Sequence, residues 1–151
     1  MTPTRESTMS TLEQIPVQDG LFTWPSAVPQ LIGGRCTECG AFHFPVQANC
    51  PHCAALSVER TPLSRRGTLW TWTVQTFAPP VPPYRGPVDD FVPFGVGYIE
   101  LPEGLRVQAR LTVNDAARLK IGMAMELTLE PFGRDEEGRE VLVYAFAPAA
   151  A

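Results

Sequence analysis

The stretch RCTECGAFHFPVQANCPHC, from Arg35 to Cys53, decides how the rest of the chain is interpreted. It contains two cysteine pairs with two residues inside each, namely Cys36 with Cys39 and Cys50 with Cys53. Each short turn offers two thiolates to one ion, and four thiolates suit zinc in a closed tetrahedron. The short interval between the pairs fits a zinc ribbon, in which a small hairpin joins two knuckles. We therefore predict a structural zinc ion held by all four cysteines.

Two other uses of these cysteines stay open at this point. They could form two disulfides, although the polar stretch Met1 to Val17 has no apolar run of the signal-peptide kind. Spacing alone also allows an iron site of the rubredoxin type. His52 lies inside the second pair and His43 between two phenylalanines, but four sulfurs already complete a tetrahedron. A site closed in this way has no open position for water or substrate, so it should hold structure.

The composition excludes several classes of protein. The 151 residues are 44% hydrophobic and 19% charged, with a formal net charge of -4. The hydrophobic content predicts a packed core. Sequence-independent binding of nucleic acid needs clusters of Lys and Arg, which this sequence lacks. No stretch approaches the roughly 18 apolar residues of a membrane span. The expected location is the cytoplasm, with no membrane or nucleic acid among the partners.

Alternating apolar and polar residues predict five strands after the cysteines. Leu105 to Val113 alternates strictly, and Gly67 to Phe77, Phe94 to Leu101 and Met123 to Pro131 follow the same rule. The last run, Glu140 to Ala147, is apolar on both sides. In the first strand, Trp70 and Trp72 fall on the apolar side and are expected in the core.

The connections complete the predicted architecture. Asn114 to Gly122 has a capping residue at its start and a glycine at its end, which indicates a short helix between the third and fourth strands. Five strands with a helix at that position are typical of an OB-fold, a small Greek-key barrel. We predict a mainly β chain with an N-terminal extension at 1–30, a zinc ribbon at 31–60 and a five-stranded OB-fold barrel at 61–148.

Motifs for catalysis are missing from the sequence. It has no nucleophile elbow, no zinc-protease motif and no phosphate-cradling glycine loop. With the cysteines on metal, no thiol remains as a nucleophile. Four arginines before and within the strands could meet phosphates, although ordinary solvent exposure is the favoured explanation: Arg65, Arg66, Arg106 and Arg110. Apolar segments at Leu21 to Trp24 and at Ala78 to Pro93 could be covered by a partner.

The order of these features resembles domain-of-unknown-function family 35, zinc-ribbon plus OB-fold proteins. The features are the ribbon, the strand GTLWTWTV (Gly67 to Val74), the strand PFGVGYIEL (Pro93 to Leu101) and LKIGMAMELTL (Leu119 to Leu129). Members of this family commonly have a helix before the ribbon, whereas Phe22 to Gly34 contains two prolines and two glycines, which disfavours one.

The resemblance implies a non-catalytic accessory subunit. Such proteins associate with thiolase-like enzymes. These enzymes are thiolases or aldolases that act in acyl-CoA degradation, including the degradation of steroid side chains. The accessory proteins support the larger subunit and help to bind acyl-CoA, whose phosphates we assign here to Arg65 and Arg66. The alternative from another class is a nucleic-acid-binding module, since OB-folds and zinc ribbons both serve in that role. A self-sufficient enzyme is the least supported hypothesis.

Overall fold

The computed structural model describes residues 13–78 and 91–149, and almost all of their regular structure is β-strand. The strands in chain order are β1 (Gln14–Pro16), β2 (Ile32–Cys36), β3 (Phe42–His43), β4 (Val58–Pro62), β5 (Arg66–Gln75), β6 (Phe94–Glu100), β7 (Arg106–Leu111), β8 (Ala124–Arg134) and β9 (Glu140–Pro148). In the described ranges the single helix is a 3-10 turn, Ala116–Arg118, capped by the Asp115 side chain. No helix there has the length and apolarity to cross a membrane.

Strands β5 to β9 close into the predicted five-stranded barrel. Hydrogen bonds join them in the order β5-β6-β7-β9-β8, and β8 returns to β5. Strands β7 and β9 pair in parallel, while the other barrel pairs are antiparallel. The 3-10 turn lies between β7 and β8, the third and fourth barrel strands. The mainly β fold class and the OB-fold are therefore confirmed.

The barrel interior follows the predicted alternation on β7, whereas β6 turns its expected apolar face, Phe94, Val96 and Tyr98, outward. On β7, Val107, Ala109 and Leu111 are buried and the intervening side chains point outward. On β6 the inward positions are Gly95, Gly97 and Ile99. A Cβ on Gly97 would lie 2.8 Å from the carbonyl oxygen of Thr71, so only glycine fits this close approach of two strands.

A β-bulge in β5 moves Trp70 out of the core. The pairing with β6 slips between Leu69, which faces Ile99, and Thr71, which faces Tyr98. The extra residue is Trp70, whose surface is 45% exposed, whereas Leu69 is fully buried. The extra residue interrupts the alternation, so Trp70 and Trp72 do not share a face of the sheet. The predicted core position of Trp70 is therefore wrong. Trp72 is half-buried and packs against the core as predicted.

The ribbon forms a separate three-stranded antiparallel sheet in the order β3-β2-β4. Residues 13–31, the described part of the segment before it, contain no helix: Phe22 bridges to Leu31, and β2 starts at Ile32. Phe22, Leu31 and Leu63 belong to the same buried cluster as the barrel residues. The extension also reaches the barrel, because β1 adds in parallel to β9. We keep the division at 1–30, 31–60 and 61–148 as a proposal.

One predicted feature cannot be followed in the structure. Most of the loop Ala78 to Pro93, including Tyr84, lies outside the described residues.

Candidate metal centre

The four cysteines of the ribbon bring their sulfur atoms together at one point. All four Sγ atoms lie within 4.8 Å of one another. The distances from Cys36 to Cys53 and from Cys39 to Cys50 are 3.6 and 3.7 Å between Sγ atoms. A tetrahedron with Zn–S bonds of about 2.3 Å has edges of about 3.8 Å, so the cluster has the size that zinc requires. None of the four is disulfide-bonded.

The two knuckles repeat one backbone conformation. In the first, the N–H of Gly40 donates to the carbonyl of Cys36; in the second, the N–H of Ala54 donates to that of Cys50. Gly40 has a φ of 80° and Ala54 a φ of 68°. The positive φ turns each chain back so that backbone N–H groups point at the sulfurs. A glycine readily adopts this conformation at position 40, whereas the alanine at position 54 gives no such signal in the sequence.

The thiols differ in their affinity for protons because they occupy different places in the knuckles. The backbone N–H of Cys39 lowers the pKa of Cys36 to about 7, against the desolvation that burial brings. The backbone N–H of Cys53 likewise lowers the pKa of Cys50. For Cys53, the N–H of Ala55 acts to lower the pKa, but desolvation and the other three thiols raise it to about 12. A bound divalent cation would stabilise the thiolate form and so deprotonate even thiols whose pKa is raised, such as Cys53.

Neither histidine joins the sulfur cluster. The Nε2 atom of His43, a buried residue, accepts a hydrogen bond from the backbone N–H of Gln47 at 3.1 Å. His52 contributes its backbone, whose N–H lies 3.3 Å from the Cys50 sulfur. With four sulfurs as ligands, a metal here has no open position and serves to hold the two knuckles together.

The structure gives Arg65 and Arg66 partners within the chain. Arg65 donates through Nη1 to the carbonyl of Pro29 and through Nη2 to that of Leu127 at 3.0 Å. Both arginines also lie within 4 Å of the Glu126 carboxylate, at 3.6 and 3.7 Å. Arg65 thus ties the segment before the ribbon to β8. Contact of these two arginines with acyl-CoA phosphates stays a prediction.

The other two predicted arginines lie among aromatic rings on the outer face of the barrel. The guanidinium carbon of Arg106 is 4.0 Å from the centre of the Trp70 ring. That of Arg110 lies 4.3 Å from Phe94 and 4.5 Å from Phe132. Sequence reasoning missed this grouping, because it depends on the bulge at Trp70 and on pairing between strands that are distant in the chain.

Comparison with known families matches both parts of the chain. Residues 25–59 match the family described as "ChsH2, rubredoxin-like zinc ribbon domain". Residues 60–130 match "ChsH2, C-terminal OB-fold domain". The first of these matches favours zinc over iron at the four cysteines, which confirms the predicted cofactor.

Several known proteins are similar over most of the chain. The benzoylsuccinyl-CoA thiolase subunit BbsA of Thauera aromatica is 32% identical over 78% of this chain and 76% of its own. A DUF35 domain-containing scaffold protein of Pyrococcus furiosus is 32% identical over 79% and 83%. Among solved structures, a chain of the Ltp2-ChsH2(DUF35) aldolase superposes with a TM-score of 0.59 and 26% identity, covering 80% of this chain and 86% of that one.

Proposed function

This chain belongs to domain-of-unknown-function family 35, and on that premise we propose that it is an accessory subunit of a thiolase-like enzyme. The observation that carries the proposal is the similarity over about three quarters of both chains to a subunit of benzoylsuccinyl-CoA thiolase. The superposition on a chain of the Ltp2-ChsH2(DUF35) aldolase supports the same assignment from the fold.

The metal centre agrees with a supporting role. Its four sulfurs fill a tetrahedron, so the site offers neither a metal-bound water nor a free thiol nucleophile. Catalytic groups would therefore belong to the larger subunit. We propose that this chain stabilises that subunit and contributes to its acyl-CoA site, with a thiolase or aldolase reaction in acyl-CoA degradation as the activity of the complex. A reducing cytoplasm suits four thiols that form no disulfide.

Arg65 and Arg66 remain our proposed contacts for the phosphates of acyl-CoA. Arg66 is the more accessible of the two, with 54% of its side chain exposed against 24% for Arg65. The ion pairs with Glu126 would have to be shared with or exchanged for a phosphate, and exposed ion pairs are weak enough to allow this. We expect Arg66→Gln to weaken acyl-CoA binding by the complex and to leave its assembly intact.

Co-expression tests the proposed function. The chain is produced with and without a candidate thiolase-like protein of its host, and acyl-CoA turnover is measured for each protein and for the pair. Turnover should require both proteins, and the two should elute together. Robust turnover by this chain alone, or a fully active thiolase-like protein that never associates with it, would refute the proposal.

A further inference from the structure

Large aromatic side chains are exposed together on one face of the barrel. Trp70 and Tyr98 are 45% and 40% exposed, and their rings meet edge to face with centres 6.2 Å apart. Trp70 is the bulge residue of β5, and Tyr98 lies on the outward face of β6. Exposed aromatic residues that cluster on one surface are typical of sites that another molecule covers.

Beside this pair runs a groove between the barrel and the ribbon, which we call the aromatic–arginine groove. Its volume is about 470 Å³, and it is largely open to solvent. Its main lining residues are Phe44, Phe94, Tyr98, Arg106, Arg110 and Tyr144. Phe44 comes from the ribbon and meets Tyr144 of β9 edge to face, with ring centres 5.4 Å apart. The groove thus spans both parts of the fold.

The two arginines of the groove are held in place before any ligand arrives. Arg106 is ion-paired with Glu100 at 3.4 Å, and Arg110 with Glu130 at 3.0 Å. Both guanidinium groups also lie over aromatic rings. Nη1 of Arg110 is buried and has no hydrogen-bond partner among the residues the structure describes. Fixed donors of this kind lose little side-chain entropy when an acceptor binds.

The charge of the groove indicates what fits it. Its described lining contains two arginines and no acidic residue, because Glu100 and Glu130 stand outside it. A single carboxylate can use the remaining donors of a guanidinium fork. The long phosphate backbone of a nucleic acid would need a net positive surface, which the two glutamates and the formal charge of -4 oppose. A small ligand would stay mostly exposed in so open a groove.

We propose that the aromatic–arginine groove docks a segment of the thiolase-like partner that presents a carboxylate between apolar side chains. This inference rests on the proposed function and names the surface through which it operates. Arginine, tyrosine and tryptophan are the residues that most often dominate the affinity of protein interfaces, and the groove and its border contain all three.

Affinity measurements on paired variants test the proposal. The purified full-length, zinc-loaded chain is titrated with the thiolase-like protein in a calorimeter, and the Kd is compared among variants. Arg106→Glu and Tyr98→Ala should each weaken binding by about tenfold or more. Two controls lie outside the groove: Arg118→Glu reverses another exposed charge, and Phe77→Ala removes another exposed ring. Their Kd should stay within about twofold of wild type.

The outcomes separate the two proposals. Zinc content and melting temperature establish that each variant is folded, and Arg106→Gln replaces Arg106→Glu if the latter is not. Wild-type binding by the folded groove variants would overturn the docking proposal and leave the accessory function standing. So would groove variants that weaken only acyl-CoA or oligonucleotide binding, or only self-association. Failure of the wild-type chain to bind the thiolase-like protein would overturn the accessory function itself.

Discussion

Cys36 and Cys50 are buried while Cys39 and Cys53 are exposed, so each knuckle contributes one interior and one solvent-facing sulfur to the cluster. The interior sulfurs receive backbone N–H groups, which stabilise a thiolate before metal binds. The exposed pair completes the tetrahedron at the surface. Removing any one sulfur leaves three ligands and an open position, which converts a closed structural site into a weak one.

Cys39→Ser should therefore abolish stoichiometric zinc binding and strongly destabilise the ribbon. Structural zinc contributes on the order of 10 kcal/mol to the folding of small modules. Metal analysis and thermal melting provide the measurement, with Glu38→Gln, a change inside the same pair, as control. About one zinc per chain is expected for wild type and control. Unchanged metal content in Cys39→Ser would show that the site is misassigned.

Gly97 is a second residue whose substitution should have a defined effect on stability. An alanine Cβ there would lie 2.8 Å from the Thr71 carbonyl and 3.1 Å from the Leu69 side chain, and backbone atoms cannot easily move aside. We expect Gly97→Ala to lower the free energy of unfolding by about 1–3 kcal/mol. Thr73→Val, which keeps a β-branched side chain at an exposed site on the neighbouring strand, should change it by about 0.5 kcal/mol or less. Equal stability of the two variants in urea denaturation would contradict the close approach.

Hydrogen bonds to the side chain of Asp135 close the turn between β8 and β9. The Asp135 carboxylate accepts hydrogen bonds from the backbone N–H groups of Glu137 and Arg139 and from Nε of Arg139. Burial acts to raise the pKa of Asp135, but the hydrogen bonds and the charge of Arg139 lower it overall. The turn is thus stabilised by the ionised carboxylate.

Asp135→Asn should lower the melting temperature at neutral pH by a few degrees. Because the pKa of Asp135 is lower in the folded than in the unfolded chain, its contribution is present above the unfolded value and is lost as pH falls through the folded one. The deficit of the variant should therefore shrink as the pH falls below the ordinary carboxyl pKa of about 3.9. Glu136→Gln, in the same turn, is the control, and acid release of zinc affects all three proteins alike. A deficit that is independent of pH would contradict this account.

Local alternation predicted the barrel strands well because inward side chains on β7 and β8 are large and apolar while their neighbours are polar. It failed at Trp70, since a bulge depends on the partner strand and leaves no mark in the sequence of β5. It also missed β1, three residues whose pairing with β9 lies more than a hundred positions away. The metal centre was predictable because its ligands are close in sequence; the aromatic–arginine groove was not, because its residues come from four separate segments.

At the scale of the whole molecule, charge decides between partners. The exposed Trp70 and Tyr98 resemble the stacking platform of an OB-fold that binds single strands, and Arg106 lies beside them. However, Arg106 and Arg110 are each paired with a glutamate, and the chain has a formal charge of -4. A net positive surface, on which sequence-independent binding depends, is therefore lacking along this face.

The chain should consequently bind single-stranded DNA and RNA poorly at physiological salt. We expect Kd values above about 100 µM for an unstructured oligonucleotide, which is the weak end of the range for non-specific binding. Fluorescence anisotropy at two salt concentrations provides the measurement, with a known single-strand-binding protein as positive control. Submicromolar, salt-sensitive binding would instead favour a nucleic-acid-binding module.

The claim that this chain is an accessory subunit is tested most directly by native mass spectrometry of the complex purified from the native host through a tag on this chain. The predicted result is an assembly whose mass equals this chain with about one zinc per copy, plus a thiolase-like protein in fixed ratio. The contradicting result is a spectrum that contains the zinc-loaded chain only as a monomer or a homo-oligomer. In that case a thiolase-like protein of the same cells would be intact and active without it.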